Sequence, residues 1–170
     1  MAYISPSPGV ATKQVILYLE TNIALTDSTI TLTGAKLSIP ALQDITINAA
    51  NDVMTWSQLD SSAKYSVATT STNSIDGNLV VDKDTFFGTV VNAVQDGTAT
   101  QQGLLGMSRN KTLVSFAIKF MEDSSADRWI TGQGYITNLA PTVSADSPVW
   151  VTPFSISCVG EYRVDTDPTA

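Results

Sequence analysis

The sequence predicts a mainly β fold: a β-sandwich or β-barrel type of subunit with one packed α-helix and a long polar loop. Three observations carry that prediction. Residues 113–121 (LVSFAIKFM) and 150–163 (WVTPFSISCVGEYR) alternate large apolar with small or polar side chains, at the period of two that a half-buried strand requires. Only one stretch, after Asp84, recurs at a helical period. The stretch SVATTSTNSIDGNLVVDKD, residues 66–84, begins with Ser, Thr and Asn that offer little to bury, which reads as a loop.

In chain order, residues 15–19 (VILYL) and 29–39 (TITLTGAKLSI) read as strand pieces. Residues 42–48 set Ile45 and Ile47 opposite Asp44, Thr46 and Asn48. Residues 53–59 (VMTWSQL) read as the neighbouring strand across a turn at 49–52, where Asn51 and Asp52 supply turn chemistry. The polar loop spans about 57–78. Asp82 or Asp84 then suits a helix N-cap. Phe87, Val90, Val91 and Val94 follow at i, i+3, i+4 and i+7, with Phe86 as a further anchor, and Gly97 stands where a C-cap glycine belongs. The spacing predicts a helix over about 84–96. Gly88 inside it costs about 1 kcal/mol relative to Ala, so packing on a sheet has to stabilise it. In residues 113–121 Val114, Phe116, Ile118 and Phe120 oppose Ser115, Ala117 and Lys119. Residues 129–138 form a strand loosened by Gly132 and Gly134. In the last strand Phe154, Ile156 and Cys158 fall on one side, with Ser155, Ser157 and Glu161 near or on the other.

Composition removes several functional classes. A chain of 170 residues with 43% hydrophobic content forms one domain, 1–170, with a core that needs neither metal nor disulfide. Nine basic against sixteen acidic residues give a net charge of −7, against the phosphate neutralisation that tight nucleic-acid binding requires. Cys158 is the single cysteine and reads as a small buried hydrophobe. The start, MAYISPSPGV, has no basic region followed by an apolar one, and no apolar run reaches membrane-spanning length. The expectation is a soluble chain without an export signal.

Histidine is absent, which eliminates Ser-His-Asp and Cys-His catalysis and His-based zinc sites. Close carboxylates have plainer readings than glycoside cleavage: Asp82 and Asp84 cap a helix, and Asp165 and Asp167 lie in the tail. Asp123 and Asp127 in EDSSAD lack the EF-hand ligand order and read as a turn. Gly132-Gln133-Gly134 lacks the third glycine of a dinucleotide fingerprint, and Asn110-Lys111-Thr112 is a sequon of the kind chance supplies. Trp56, Trp129 and Trp150 could line a sugar- or base-stacking groove, but their apolar neighbours favour core or subunit packing. The expectation is a non-enzyme with no cofactor and no metal.

What remains is a sheet with a polar face, comprising Asp44, Thr46, Asn48, Ser115, Lys119, Ser155, Ser157 and Glu161. Its open edges invite pairing with further copies, and pairing repeated by rotation closes a ring. The succession IPALQDITINAANDVMTWSQLD, a polar loop, GNLVVDKD, TFFGTVVNAVQDG, KTLVSFAIKFM and WITGQGYITNLAPTVSADSPVWVTPFSISCVGEYRV resembles the tail tube proteins (major tail proteins) of long-tailed bacteriophages, over roughly residues 35–164. With the short polar end DTDPTA, the expectation is a subunit without the immunoglobulin-like domain that some relatives add at the C-terminus.

The resemblance implies a virion protein assembled in the host bacterial cytoplasm, whose strands join an inner barrel shared by a hexameric ring. Stacked rings would form a conduit for double-stranded DNA, with the eight polar-face residues as candidates to line it. An acidic balance lets DNA slide without breaking phosphate contacts. The loop at about 57–78, with Leu59, Tyr65, Val67 and Ile75 as its apolar anchors, would make ring-to-ring contacts together with an N-terminal arm (about 1–14) and a C-terminal arm (about 164–170). Implied partners are further copies, a tape-measure protein, a tail tip or baseplate and a tail terminator, with no membrane. The inner tube of a contractile tail or related secretion tube is a close alternative; a carbohydrate-binding or adhesin-like β-sandwich is a second, from a different class.

Overall fold

The computed structural model describes residues 16–21, 25, 30–40, 42–60, 62–91, 97–121, 128–146, 148–166 and 168. Seven strands and two helices follow in order: β1 (Leu17–Thr21), β2 (Leu37–Ile39), β3 (Leu42–Ser57), β4 (Lys64–Val80), α1 (Lys83–Phe87), α2 (Ala99–Arg109), β5 (Val114–Met121), β6 (Arg128–Leu139) and β7 (Val151–Asp165). The strands make one sheet in the order β2-β1-β5-β6-β7-β4-β3, with every neighbouring pair antiparallel. The mainly β expectation holds, with two helices rather than one.

Alternation decides the two faces. Register partners share a face, so the pairs Leu19↔Phe116, Ile136↔Ile156, Ile75↔Ile156 and Ile47↔Ile75 run an apolar band across the sheet. Phe116, Phe154, Ile75 and Ile156 in this band are fully buried beneath Phe86 of α1 and Leu104 and Met107 of α2. Each such side chain contributes roughly 1.5–3 kcal/mol. On the opposite face, Ile30 and Leu32 cover one end of the sheet, packing on Ala117 and Trp129. Trp129 stacks on Tyr18 at 6.0 Å, as expected of a core tryptophan.

Two sequence-based expectations are corrected here. The helix placed at about 84–96 ends at Phe87. Asp82 is its N-cap, accepting from the Asp84 and Thr85 amides at 3.2 and 3.3 Å, but Gly88 takes φ 78° and terminates it. Gly88 and Gly103 (φ 61°) let residues 88–90 lie directly on α2: a Cβ at Gly103 would stand 2.4 Å from the Gly88 nitrogen. Val90 and Val91 are exposed, and Val94 lies outside the described residues. The main helix is instead α2, which carries a capping box of Thr98 and Gln101.

The second correction concerns residues 57–78. They are not a loop: from Lys64 onward they belong to β4, paired with β3 through Ser57↔Lys64 to Leu42↔Leu79. The supposed turn at 49–52 lies within β3, whose pairing with β4 shifts register between Asn51 and Val53 without ending the strand. The polar side chains of residues 66–72 conceal the strand, because both of its faces meet solvent and the pairing is carried by the backbone. The postulated N-terminal arm and the EDSSAD turn lie outside the described residues, and the C-terminal arm placed at about 164–170 begins inside β7, to which Val164 and Asp165 belong.

Candidate assembly surfaces

The polar face is built where β3, β4 and β7 run side by side. Thr46 pairs with Asp76 and Asn48 with Ser74, and these pair onward with Ser155 and Ser157, which puts all six in two rows on one face. Asp76 is the hub. Its carboxylate accepts from Ser155 Oγ at 2.6 Å, Asn48 Nδ2 at 2.7 Å and Ser74 Oγ at 2.9 Å. The Ser155 hydrogen bond leads in holding its carboxyl below the ordinary value of 3.8, against an opposing desolvation, with Ser74 and Asn48 adding to the lowering. Asp44 accepts from the Asn78 amide and Nδ2 at 2.9 Å each. Both carboxylates are therefore fixed by neutral donors, on rows that contain no lysine or arginine.

Of the sequence-predicted face, Asp44, Thr46, Asn48, Ser155 and Ser157 come together here. Ser115 does not: it is 2% exposed, beside Gln133 at 3.3 Å, at the end of this face covered by residues 30–32. Lys119 stands at that same end, half-buried, with its ammonium 5.9 Å from the Trp129 ring centroid. Glu161 is exposed but lies in the irregularity between Val159 and Arg163, outside the rows. Ser74, Asp76 and Asn78 were missed. Their signal is the alternation with Ile75, Gly77 and Leu79 inside a stretch read as loop.

Beyond Ser74, the last β4 residue paired with β7, the β3–β4 hairpin leaves the sheet as an arm. Met54 pairs with Val67 and Trp56 with Tyr65, so these four share one side, and the two rings stack at 5.9 Å. All four are 41–56% exposed, and Leu59 at the tip is completely so. Of the predicted anchors, Leu59, Tyr65 and Val67 thus belong to the arm. Ile75 does not: it is 0% exposed, in the core. The three tryptophans line no common groove among the described residues, since Trp129 is buried, Trp56 stands in the arm and Trp150 is exposed before β7. No group of three or more acidic or cysteine side chains able to hold a metal occurs among the described residues.

No protein-family model matches the sequence, and no curated protein matches it. Solved structures do match the fold. The SPP1 tail tube superposes with TM-score 0.60 over 91% of this chain and 78% of its own, at 14% identity. The tail of an empty gene transfer agent particle, determined with C6 symmetry, gives 0.57 over 89% of this chain and 95% of its own, at 14% identity. This chain has the tail-tube fold. A sheath/tube terminator of an extracellular contractile injection system shares it at 0.53, over 92% of this chain and 96% of its own, at 12% identity. Within the tail-tube fold, the polar rows and the arm are surfaces that the described residues leave open to solvent.

Proposed function

We propose that the chain is a structural virion protein that assembles into six-fold rings, stacked into a tail tube that conducts DNA, and that it is not an enzyme. The observation that carries this reading is the arm. A hairpin with four half-exposed apolar side chains on one side has no place in a monomer, but suits contact with another copy. The tail-tube fold and the C6 symmetry of a matched tail support the ring. The eight-residue polar face is reduced to five of its members plus Ser74, Asp76 and Asn78 as lumen-facing candidates; an anionic wall without cations does not hold phosphate. Tail terminator, baseplate and tape-measure proteins would be its partners, in the virion tail after assembly in the host cytoplasm. The inner tube of a contractile machine is a second reading, favoured by the match to the injection-system terminator.

Excising the arm tests the reading. Asn51 and Ser71 are register partners, so an Asn-Gly turn can join them in place of residues 52–70. The expected product is a folded protein that forms rings without stacking them. Tubes of normal length from the armless protein would contradict the reading.

A further inference from the structure

On the helix-covered side of the sheet, a cleft of about 350 Å³ opens between α1 and α2. Thr89 and Val90 donate to the Thr100 and Gln101 carbonyls at 3.0 and 3.3 Å, which fixes the segment after α1 against α2 as one wall. Phe87 and Leu105 line it and are 55% and 41% exposed. The two charged residues that line it, Lys83 and Arg109, are both cations in a chain of net charge −7, and neither forms an ion pair among the described residues. An apolar slot with a basic rim fits an apolar side chain next to a carboxylate.

The arm tip presents that combination. Leu59 is 111% exposed, the most exposed of the large apolar side chains described, and Asp60 follows it directly in the turn. The tip cannot reach the cleft of its own chain. It lies before the first residue of β4, whereas α1 begins just after the last, and the 17 residues of β4 span roughly 50 Å at strand rise. Tip and cleft therefore sit at opposite ends of the molecule, the arrangement that a head-to-tail contact between copies requires.

We propose that the cleft between α1 and α2 receives the arm tip of a second copy of this chain, with Leu59 seated against Phe87 and Leu105 and Asp60 against Lys83 and Arg109. The inference rests on the stacked-ring reading and names the partner surface of the arm.

Charge exchange tests it. The Lys83→Glu, Arg109→Glu double variant keeps its rings but needs about tenfold or more higher concentration to stack them, and adding Asp60→Lys restores stacking at least in part. A second measurement pairs Leu59→Cys with Leu105→Cys in a Cys158→Ala background. Mild oxidation of assembled protein gives a ladder of covalent multimers on a non-reducing gel. Tubes that stack normally with the double charge reversal, or that yield no ladder, overturn the seat while leaving the ring reading intact. A protein that forms neither rings nor tubes overturns both.

Discussion

The hydroxyl of Tyr162 lies 2.7 Å from the carbonyl oxygen of Ser74, and 2.8 Å from that of Asn48, the register partner of Ser74. One side chain of β7 thus ties down both strands of the hairpin at the point where it leaves the sheet. The ring also packs edge-on to Phe116, at 6.3 Å between centroids, so the tie is anchored in the core. Replacing Tyr162 with Phe keeps that packing and removes the donor. The expected loss is about 1–2 kcal/mol in urea unfolding, the range for orphaning a part-buried acceptor, together with faster amide exchange in β3 near Asn48.

Alkaline pH weakens the same junction. Burial pushes the Cys158 thiol up to about 11 from 9.0, with a hydrogen bond from Tyr162 opposing and the charge of Asp76 adding to the shift. Burial first, then Cys158 and Asp76, raises the Tyr162 phenol above its ordinary 10.0. In both groups the unfolded chain gives up its proton first, so their contribution is complete below about pH 9 and is lost as pH rises toward 11. Thermal melts from pH 7 to 11 are expected to fall over that window, and Cys158→Ala to fall less.

Acid acts through Asp76 with the opposite sign. Its hydrogen bonds from Ser155, Ser74 and Asn48 lower its folded pKa below 3.8, so the stability it supplies is present above that pH and fades as pH falls below it. Asp76→Asn is expected to be less stable at pH 7 and to show a flatter acid limb in melts between pH 5 and 2. Equal acid slopes in the two proteins would remove Asp76 from its place as the hub of the polar rows.

The apolar side of the arm separates folding from assembly. Trp56→Ser with Tyr65→Ser removes the stacked pair, which is 42% and 41% exposed and belongs to neither core cluster of the described residues, so a change of at most about 0.5 kcal/mol in stability is expected. Pelleting of assembled tubes should be lost. Lower stability together with unchanged pelleting would mean that the arm serves the monomer.

Strands whose large apolar side chains alternate with small or polar ones were legible in the sequence. Ile45 and Ile47, and Phe154 to Cys158, alternate because one side of the sheet there is apolar and the other polar; Val114, Phe116 and Ile118 alternate with the small Ser115 and Ala117 although both faces of β5 are buried there, and each segment lies in the strand that the alternation indicates. The far part of β4 was not legible, since residues 66–72 are exposed on both sides and nothing selects apolar residues there. Helix α2 was missed because its sequence, ATQQGLLGMSR, carries two glycines, one of which serves close approach at φ 61°. Conversely, the periodic Phe87, Val90 and Val91 mark the exposed cleft wall and not a helix face. On the polar face, Ser115 follows the same alternation as Ser155. What separates them is that Ser115 is buried, beside Gln133 and next to the end of the face where Ile30 and Leu32 pack on Ala117, a long-range packing that alternation does not encode.

The central claim is self-assembly, and electron microscopy of the purified full-length protein over a concentration series, with sedimentation alongside, tests it most directly. The account predicts rings with six-fold averages, like the C6 tail of the matched particle, passing into hollow tubes as concentration rises. A monomer at every concentration, with neither rings nor tubes in the presence of preformed tail-tip nuclei, would contradict it.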